Sequence, residues 1–286
     1  MKIIDILGRE KATLSCELFP PKHGYELAGA KLIVRETAAL GPSFISVTYN
    51  AGSGTSSHSV NLAHEVQNIC GITALAHLTC VSSEKNAIVN TLAELKALGI
   101  ENILALRGDI PEGRLLALET YRHASELIKE IRDYGGFCIG GACYPQGHPE
   151  AQTLQKDIES LKAKADCGCQ FFTTQMFFDN SILYSFMFQL LKNGINVPVI
   201  AGIMPVTNAK QISRICSLSG AVLPPRFKAI VDKFSHNPAA MNQAGVVYAT
   251  EQIIDLIANG VNNIHIYTMN KPDIAGRIMN NLSEIF

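Results

Sequence analysis

Excess charge is what this chain most clearly lacks. Its 286 residues carry 24 Lys and Arg against 25 Asp and Glu, a formal net charge of -1. No basic run or stripe stands out, which argues against the phosphate neutralisation that nucleic-acid binding needs. Long apolar runs are also missing: nowhere do about 18 apolar residues follow one another, the length of a membrane span. The opening MKIIDILGRE has too short an apolar stretch for a secretory signal and meets acidic residues at once. A soluble, cytoplasmic protein is expected, with neither nucleic acid nor membrane as partner. No Ser/Gly linker or low-complexity segment divides the chain, so a single domain over residues 1–286 is expected. With 47% hydrophobic and 17% charged residues, the chain can bury a large core and is too apolar to be disordered.

Eight cysteines are present: Cys16, Cys70, Cys80, Cys138, Cys143, Cys167, Cys169 and Cys216. In a long chain without an export signal, and mostly within apolar strand-like runs, they read as reduced, buried thiols rather than a disulfide framework. Cys167 and Cys169 are the closest pair, and no second pair with zinc-ligand spacing accompanies them. No metal site is expected.

Short apolar runs rich in β-formers recur at 12–19, 44–50, 72–80, 102–109, 137–145, 171–178, 197–205 and 263–270. The first seven begin roughly 26 to 35 residues apart, the length of a strand plus a crossover helix. Between them lie segments such as EKNAIVNTLAELKALG and AQTLQKDIESLKAKADCG, whose apolar residues recur at helical spacing. Continuous apolar strands alternating with amphipathic helices imply a parallel sheet covered on its outer face. Eight such units predict a (β/α)8 TIM barrel. About 57 residues separate the seventh and eighth runs, too many for one helix, so extra helices are expected there with LSGAVLPPRF as the break between them.

Active sites of such barrels form at the carboxyl ends of the strands. Those ends supply Glu17; Thr48 with Tyr49 and Asn50; His77 with Thr79; Arg107 with Asp109; Tyr144 with His148; Gln175; and Tyr267 with Asn270. Each alone reads as a hydrogen-bonded strand end or loop cap, and it is their convergence on one mouth that suggests chemistry. Within LSCELFPPKHG, Glu17 sits in an apolar run that two prolines stop. Burial there raises a carboxyl pKa, as a general acid working near neutral pH requires. The plainer alternative pairs Glu17 with Lys22 or Arg107. Arg107-Gly108-Asp109 puts a rigid cation beside a carboxylate, with a glycine that admits a close backbone or planar ligand.

Taken together, ELFPPK, FISVTYNAGSG, AHLTC, LALRGDIP, YPQGHPEA, TTQMFFD, GIMPVTN and HIYTMN resemble, in order, the eight strand-end motifs of the methylenetetrahydrofolate reductase family. The resemblance covers residues 12–272. It implies a flavin-containing (β/α)8 barrel that takes hydride from a reduced donor and passes it from flavin N5 to 5,10-methylenetetrahydrofolate, giving 5-methyltetrahydrofolate. By motif position Glu17 is the acid that opens the methylene bridge, and Asp109 modulates the flavin's reducing power. Thr48, His77, Arg107, Gly108, Asp109, Ala124, Tyr144, His148, Asp157 and Lys164 fall at flavin-contact positions. Gln175, Tyr267 and Lys271, with Glu17, fall on the folate and nicotinamide side.

The resemblance favours FAD, with FMN as the alternative, because Asp157 and Lys164 lie seven apart on one helix face where a ribose and a phosphate could bind. A solvated surface pair is the plainer reading of those two. Ser160 and Ala163 stand where relatives carry Asn and Arg, His123 where they often carry Tyr, and Ile215 where some carry Phe. The electron donor implied is NADH, NADPH or a partner electron-transfer subunit, and a homo- or hetero-oligomer is expected. Two other classes compete: a non-redox pterin-binding methyl-transfer barrel, and a scaffolding or electron-transfer subunit whose cysteines hold a cluster.

Overall fold

Eight parallel strands close on themselves in chain order. They are β1 (Thr13–Leu18), β2 (Ile45–Val47), β3 (Ala74–Thr79), β4 (Asn102–Leu106), β5 (Cys138–Cys143), β6 (Phe171–Thr174), β7 (Val199–Ile203) and β8 (Asn263–Tyr267). Each pairs with the next, and β8 pairs with β1 from Thr13↔Asn263 to Glu17↔Tyr267, completing the barrel. The structure is a computed structural model, and it describes residues 1–9, 11–49, 56–81, 83–109 and 120–286.

The helices are α1 (Ile3–Leu7), α2 (Leu27–Ala38), α3 (Ser56–His64), α4 (Lys85–Ala97), α5 (Ala124–Tyr134), α6 (Leu154–Cys167), α7 (Asn180–Lys192), α8 (Ala209–Ser219), α9 (Pro225–Phe234), α10 (Pro238–Ala258) and α11 (Pro272–Asn281). The (β/α)8 architecture expected from the spacing is the one observed. The long interval before β8 holds α8, α9 and α10, with residues 220–224 breaking α8 from α9. All eight strands end one to four residues before the apolar runs that announced them. No described helix is long and apolar enough to cross a membrane. All eight cysteines are free thiols, and five of them are buried.

Successive strand residues point to opposite faces, so each strand contributes to two cores. The outward set, including Leu14, Cys16, Leu18, Ile45, Leu78, Ile103 and Ile266, merges with the buried helix faces into one cluster. The inward set is divided by height. At the amino-terminal end Phe44, Leu75, Leu104, Cys138, Phe171 and Ile200 pack with Ile3, Ile6 and Leu7 of α1, which plugs the barrel floor. Phe171 fits because β5 has no side chain opposite it: a Cβ on Gly140 would stand 2.4 Å from the ring. Above this floor the inward positions turn polar, with Ser15, Ser46, His77, Thr173 and His265 all buried.

Asn102, fully buried on β4, fastens the plug. Its Oδ1 accepts from the Ile3 N–H at 2.8 Å, and its Nδ2 donates to the carbonyls of Met1 at 3.0 Å and Ala74 at 3.2 Å. Asn102→Ala strands these buried backbone groups, at a cost of about 1–3 kcal/mol. Thermal unfolding is expected to show a midpoint lowered by about 2–10 °C. An unchanged midpoint would show that the plug adds nothing to stability.

Candidate active site

Glu17 stands near the top of β1, level with Ser46 of β2 and Tyr267 of β8. It is 8% exposed, and burial pushes its carboxyl up to about 8. The facing ionisable group is His77 of β3, whose Nε2 lies 3.7 Å from Glu17 Oε2. Burial drives the His77 imidazole down to about 3. Between those values a neutral acid stands beside a neutral imidazole, so the contact is not an ion pair. His77 Nε2 is buried and has no hydrogen-bond partner within the protein. The alternative pairing of Glu17 with Lys22 or Arg107 is not what the fold makes: Lys22 is exposed, and Arg107 binds Glu150.

One layer below, His265 of β8 lies between two serines, with Nδ1 2.7 Å from Ser15 Oγ and Nε2 3.1 Å from Ser46 Oγ. Ser15 Oγ donates to the Ile264 carbonyl at 3.0 Å. The arrangement that satisfies all three side chains has Nδ1–H donating to Ser15 and Ser46 donating to Nε2. Burial holds His265 down to about 3, and the like charge of His77 adds to the effect. Tyr267, half-buried, donates its hydroxyl to the Thr174 carbonyl. Gly202 of β7 makes room for it, since a Cβ there would come within 2.6 Å of both the tyrosine and the Thr174 carbonyl. Desolvation keeps this phenol well above its usual range.

Other expected site residues ring this centre. Thr48 is half-buried just past β2, its N–H donating to the Leu18 carbonyl at 3.0 Å. Gln175 is half-buried just past β6, its N–H bonded to the Cys143 carbonyl at 2.7 Å and its Oε1 accepting from the Met176 N–H. Lys271 is exposed at the start of α11 and donates to Thr207 Oγ1 at 3.3 Å. It borders a small cavity of about 100 Å³ shared with Ile215 and Met269. Asn50 lies outside the described residues.

The β4–β5–α6 side has a different character. Arg107 does not pair with its neighbour Asp109, which is exposed; its two terminal nitrogens bind Glu150 at 2.5 and 2.7 Å. Gly108 has φ +84°, and a Cβ there would stand 3.0 Å from Thr79 Cβ. Tyr144 meets the His148 ring edge-on, with centroids 4.6 Å apart. Helix α6 begins at Thr153, which accepts from the Lys156 N–H at 3.2 Å, and ends where Gly168 turns left-handed.

Asp157 and Lys164 point inward from that helix, so the solvated-pair reading fails. Asp157 accepts from the His148 N–H at 3.1 Å, and Lys164 Nζ donates to the Ala142 carbonyl at 2.8 Å. Burial raises the carboxyl of the first and lowers the amine of the second. Ala124 is buried at the first position of α5, behind the capping residue His123, while Ser160 and Ala163 are exposed on α6.

Sequence reasoning missed Ser15, Ser46, Thr173, His265 and Thr268. Thr173 faces the barrel interior with a buried hydroxyl that has no partner, and Thr268 Oγ1 donates to the Glu17 carbonyl at 2.6 Å. A signal for two of them was present. Ser15 and His265 lie two residues before Glu17 and Tyr267, on the same face of a strand.

These shifts fix a pH dependence. Glu17, raised from 4.5 to about 8, lends stability that is complete below about pH 4.5 and lost as pH rises through 8. His77 and His265, lowered from 6.5 to about 3, lend stability that is lost as pH falls below 6.5. Between pH 6.5 and 8 the slope therefore comes from Glu17, at about 1.4 kcal/mol per pH unit. Urea titrations across that interval should show stability falling in the parent and nearly flat in Glu17→Gln; parallel curves would remove Glu17 as a buried acid.

Residues 2–283 match the methylenetetrahydrofolate reductase family. A 5,10-methylenetetrahydrofolate reductase from Pectobacterium carotovorum subsp. carotovorum is 30% identical over 281 residues, which cover 98% of this chain and 92% of that protein. Methylenetetrahydrofolate reductase (NADH) 1 of Arabidopsis thaliana is 30% identical over 305 residues, covering 100% of this chain and 51% of the plant protein, so the chain spans about half the length of that relative. A solved structure of an uncharacterized Clostridium thermocellum protein that binds two copies of 5-methyl-5,6,7,8-tetrahydrofolic acid shares the fold, with a TM-score of 0.68 at 14% identity over the whole of both chains. The full-length match and the buried acid of β1 lead to one assignment: the chain belongs to the methylenetetrahydrofolate reductase family.

Proposed function

We propose that this chain reduces 5,10-methylenetetrahydrofolate to 5-methyltetrahydrofolate with a bound flavin, FAD by preference over FMN, and with Glu17 as the proton donor. The observation that carries the reading is a carboxyl that burial keeps protonated up to about pH 8 inside the mouth of the barrel. A general acid needs that state near neutral pH, and an exposed glutamate does not have it. The names of the bacterial relatives and the folate bound by the Clostridium thermocellum protein support the choice of substrate.

The residues present suit a flavin. His77 Nε2 and Thr173 Oγ1 are buried without protein partners, as groups awaiting a ligand would be. Arg107, Gly108, Tyr144, His148, Asp157 and Lys164 lie on the β4–β5–α6 side with Ala124 at the start of α5, while Thr48 stands apart, just past β2. A bound flavin supplies hydride chemistry that no side chain can.

The chain's own part is to hold and move a proton. Glu17 keeps one on its carboxyl and delivers it to the nitrogen from which the methylene bridge opens. Tyr267 flanks it at the same level, the His265 layer excludes water beneath it, Gln175 offers an amide to the pterin, and Lys271 presents an ammonium at the rim. Asp109 stands as a negative charge at the mouth, disfavouring added electron density nearby. The reductant is NADH or NADPH, in keeping with the NADH-named plant relative, or else a partner electron-transfer subunit.

Half-reactions test the acid. Glu17→Gln should leave reduction of the flavin by its donor within about twofold while slowing oxidation by methylenetetrahydrofolate by about 100-fold or more. Normal oxidation in stopped-flow traces would remove Glu17 from the mechanism. Asp109→Asn is expected to raise the flavin midpoint potential in a redox titration, and an unchanged value would place Asp109 away from the redox centre. Heat-released cofactor resolved by chromatography should be FAD; FMN alone would take Asp157 and Lys164 out of the site, and a colourless protein would favour the non-redox methyl-transfer reading.

A further inference from the structure

Backbone pairing between β1 and β8 ends at Glu17↔Tyr267, and the two chains then part: β1 runs into Phe19 and two prolines, and β8 turns toward α11. The turn is made by Met269 and Asn270, both at φ +55°, the only non-glycine residues with positive φ among the described residues. Asparagine accepts that conformation readily, whereas methionine does so only when its surroundings impose it. Paired left-handed residues at the rim of a site point to a functional constraint rather than to chance.

The constraint is visible in the side chains on either side of the turn. Thr268 Oγ1 donates to the Glu17 carbonyl at 2.6 Å and accepts from the Asn270 N–H at 3.2 Å. The Asn270 amide then grips Phe19 at both ends: its Oδ1 accepts from the Phe19 N–H at 2.8 Å, and its Nδ2 donates to the Phe19 carbonyl at 3.1 Å. The carbonyl of Glu17, at the last β1–β8 register pair, and both main-chain groups of Phe19, just beyond β1, thus receive side-chain partners. Pro20 and Pro21 bring no N–H with which the ladder could resume.

We propose that Thr268 and Asn270 are the positioning residues of Glu17, a side-chain continuation of the β1–β8 ladder that sets the depth and direction at which the carboxyl stands in the barrel. The proposal rests on the function inferred above for what Glu17 does, and on the geometry alone for how it is held. Asparagine is required at 270 for two independent reasons: it tolerates the left-handed turn, and its amide carries the donor and the acceptor that a strand edge would have supplied. Neither Thr268 nor Asn270 needs to touch the substrate. Their effect passes through the main chain of Glu17 and Phe19.

Asn270→Gly separates the two reasons, since glycine keeps the turn and removes the grip. Oxidation of the reduced enzyme by methylenetetrahydrofolate is expected to slow by about 10- to 100-fold, as for a catalytic group displaced by about 1 Å. Reduction by NADH should stay within about twofold of the parent. The stability slope between pH 6.5 and 8 should also shrink, because water reaches a carboxyl that is no longer held at depth, and this second readout needs no cofactor.

Thr268→Val, which keeps the shape and removes the hydroxyl, serves as the second variant should Asn270→Gly fail to fold, with the same two changes expected. A variant that melts earlier yet keeps the parental slope and folate half-reaction overturns the proposal, because the grip is then structural only. If the parent itself fails to oxidise with methylenetetrahydrofolate, the functional reading falls, and the slope alone still decides the positioning role.

Discussion

A carboxyl buried away from any cation remains tolerable only while it keeps its proton, and the upper half of the barrel is arranged around that condition. The His77 imidazole, 3.7 Å from Glu17, and the phenol of Tyr267, its register partner on β8, are both neutral near pH 7. Arg107 and Lys164 are engaged with Glu150 and with the Ala142 carbonyl. Beneath the acid, the Ser15–His265–Ser46 layer uses its hydrogen bonds internally, and below that the apolar floor closed by α1 keeps water out. The plug, the polar layer and the acid form a vertical sequence in which each level depends on the one under it.

The mouth is divided by this arrangement. On the β8–β1–β3 side the chemistry is that of neutral polar groups in a desolvated setting, where a proton can be held in reserve. Across the barrel, from β4 to α6, charged side chains are each tied down: Arg107 to Glu150, Asp157 to the His148 main-chain N–H, and Lys164 to the Ala142 carbonyl. Two of the four buried side-chain atoms without a partner among the described residues, His77 Nε2 and Thr173 Oγ1, belong to strands β3 and β6 inside the barrel.

How much of this was legible beforehand varies residue by residue. The raised pKa of Glu17 could be argued from its setting in LSCELF, because strand burial is a local property of an apolar run. The partner of Arg107 could not, since Glu150 lies 43 residues away and is brought near only by the loop after β5. Helical spacing placed Asp157 and Lys164 on one face of α6, but spacing does not say whether that face turns toward solvent or toward the sheet. It turns inward, and the two side chains bind main-chain groups of β5 and its loop. Asn270 read as a loop cap, and its grip on Phe19 joins residues 251 positions apart.

The sequence by itself determined the number and order of the strands, the extra helices before β8, and the set of polar residues at the strand ends, because periodicity and local burial are written in short stretches of chain. Barrel closure decided the rest. Only when β8 meets β1 does His265 find Ser15 and Ser46, does Thr268 reach the Glu17 carbonyl, and does Tyr267 fill the space left by Gly202. These contacts are long-range in sequence and short-range in space, and their energies depend on a desolvation that exists only once the lumen is sealed.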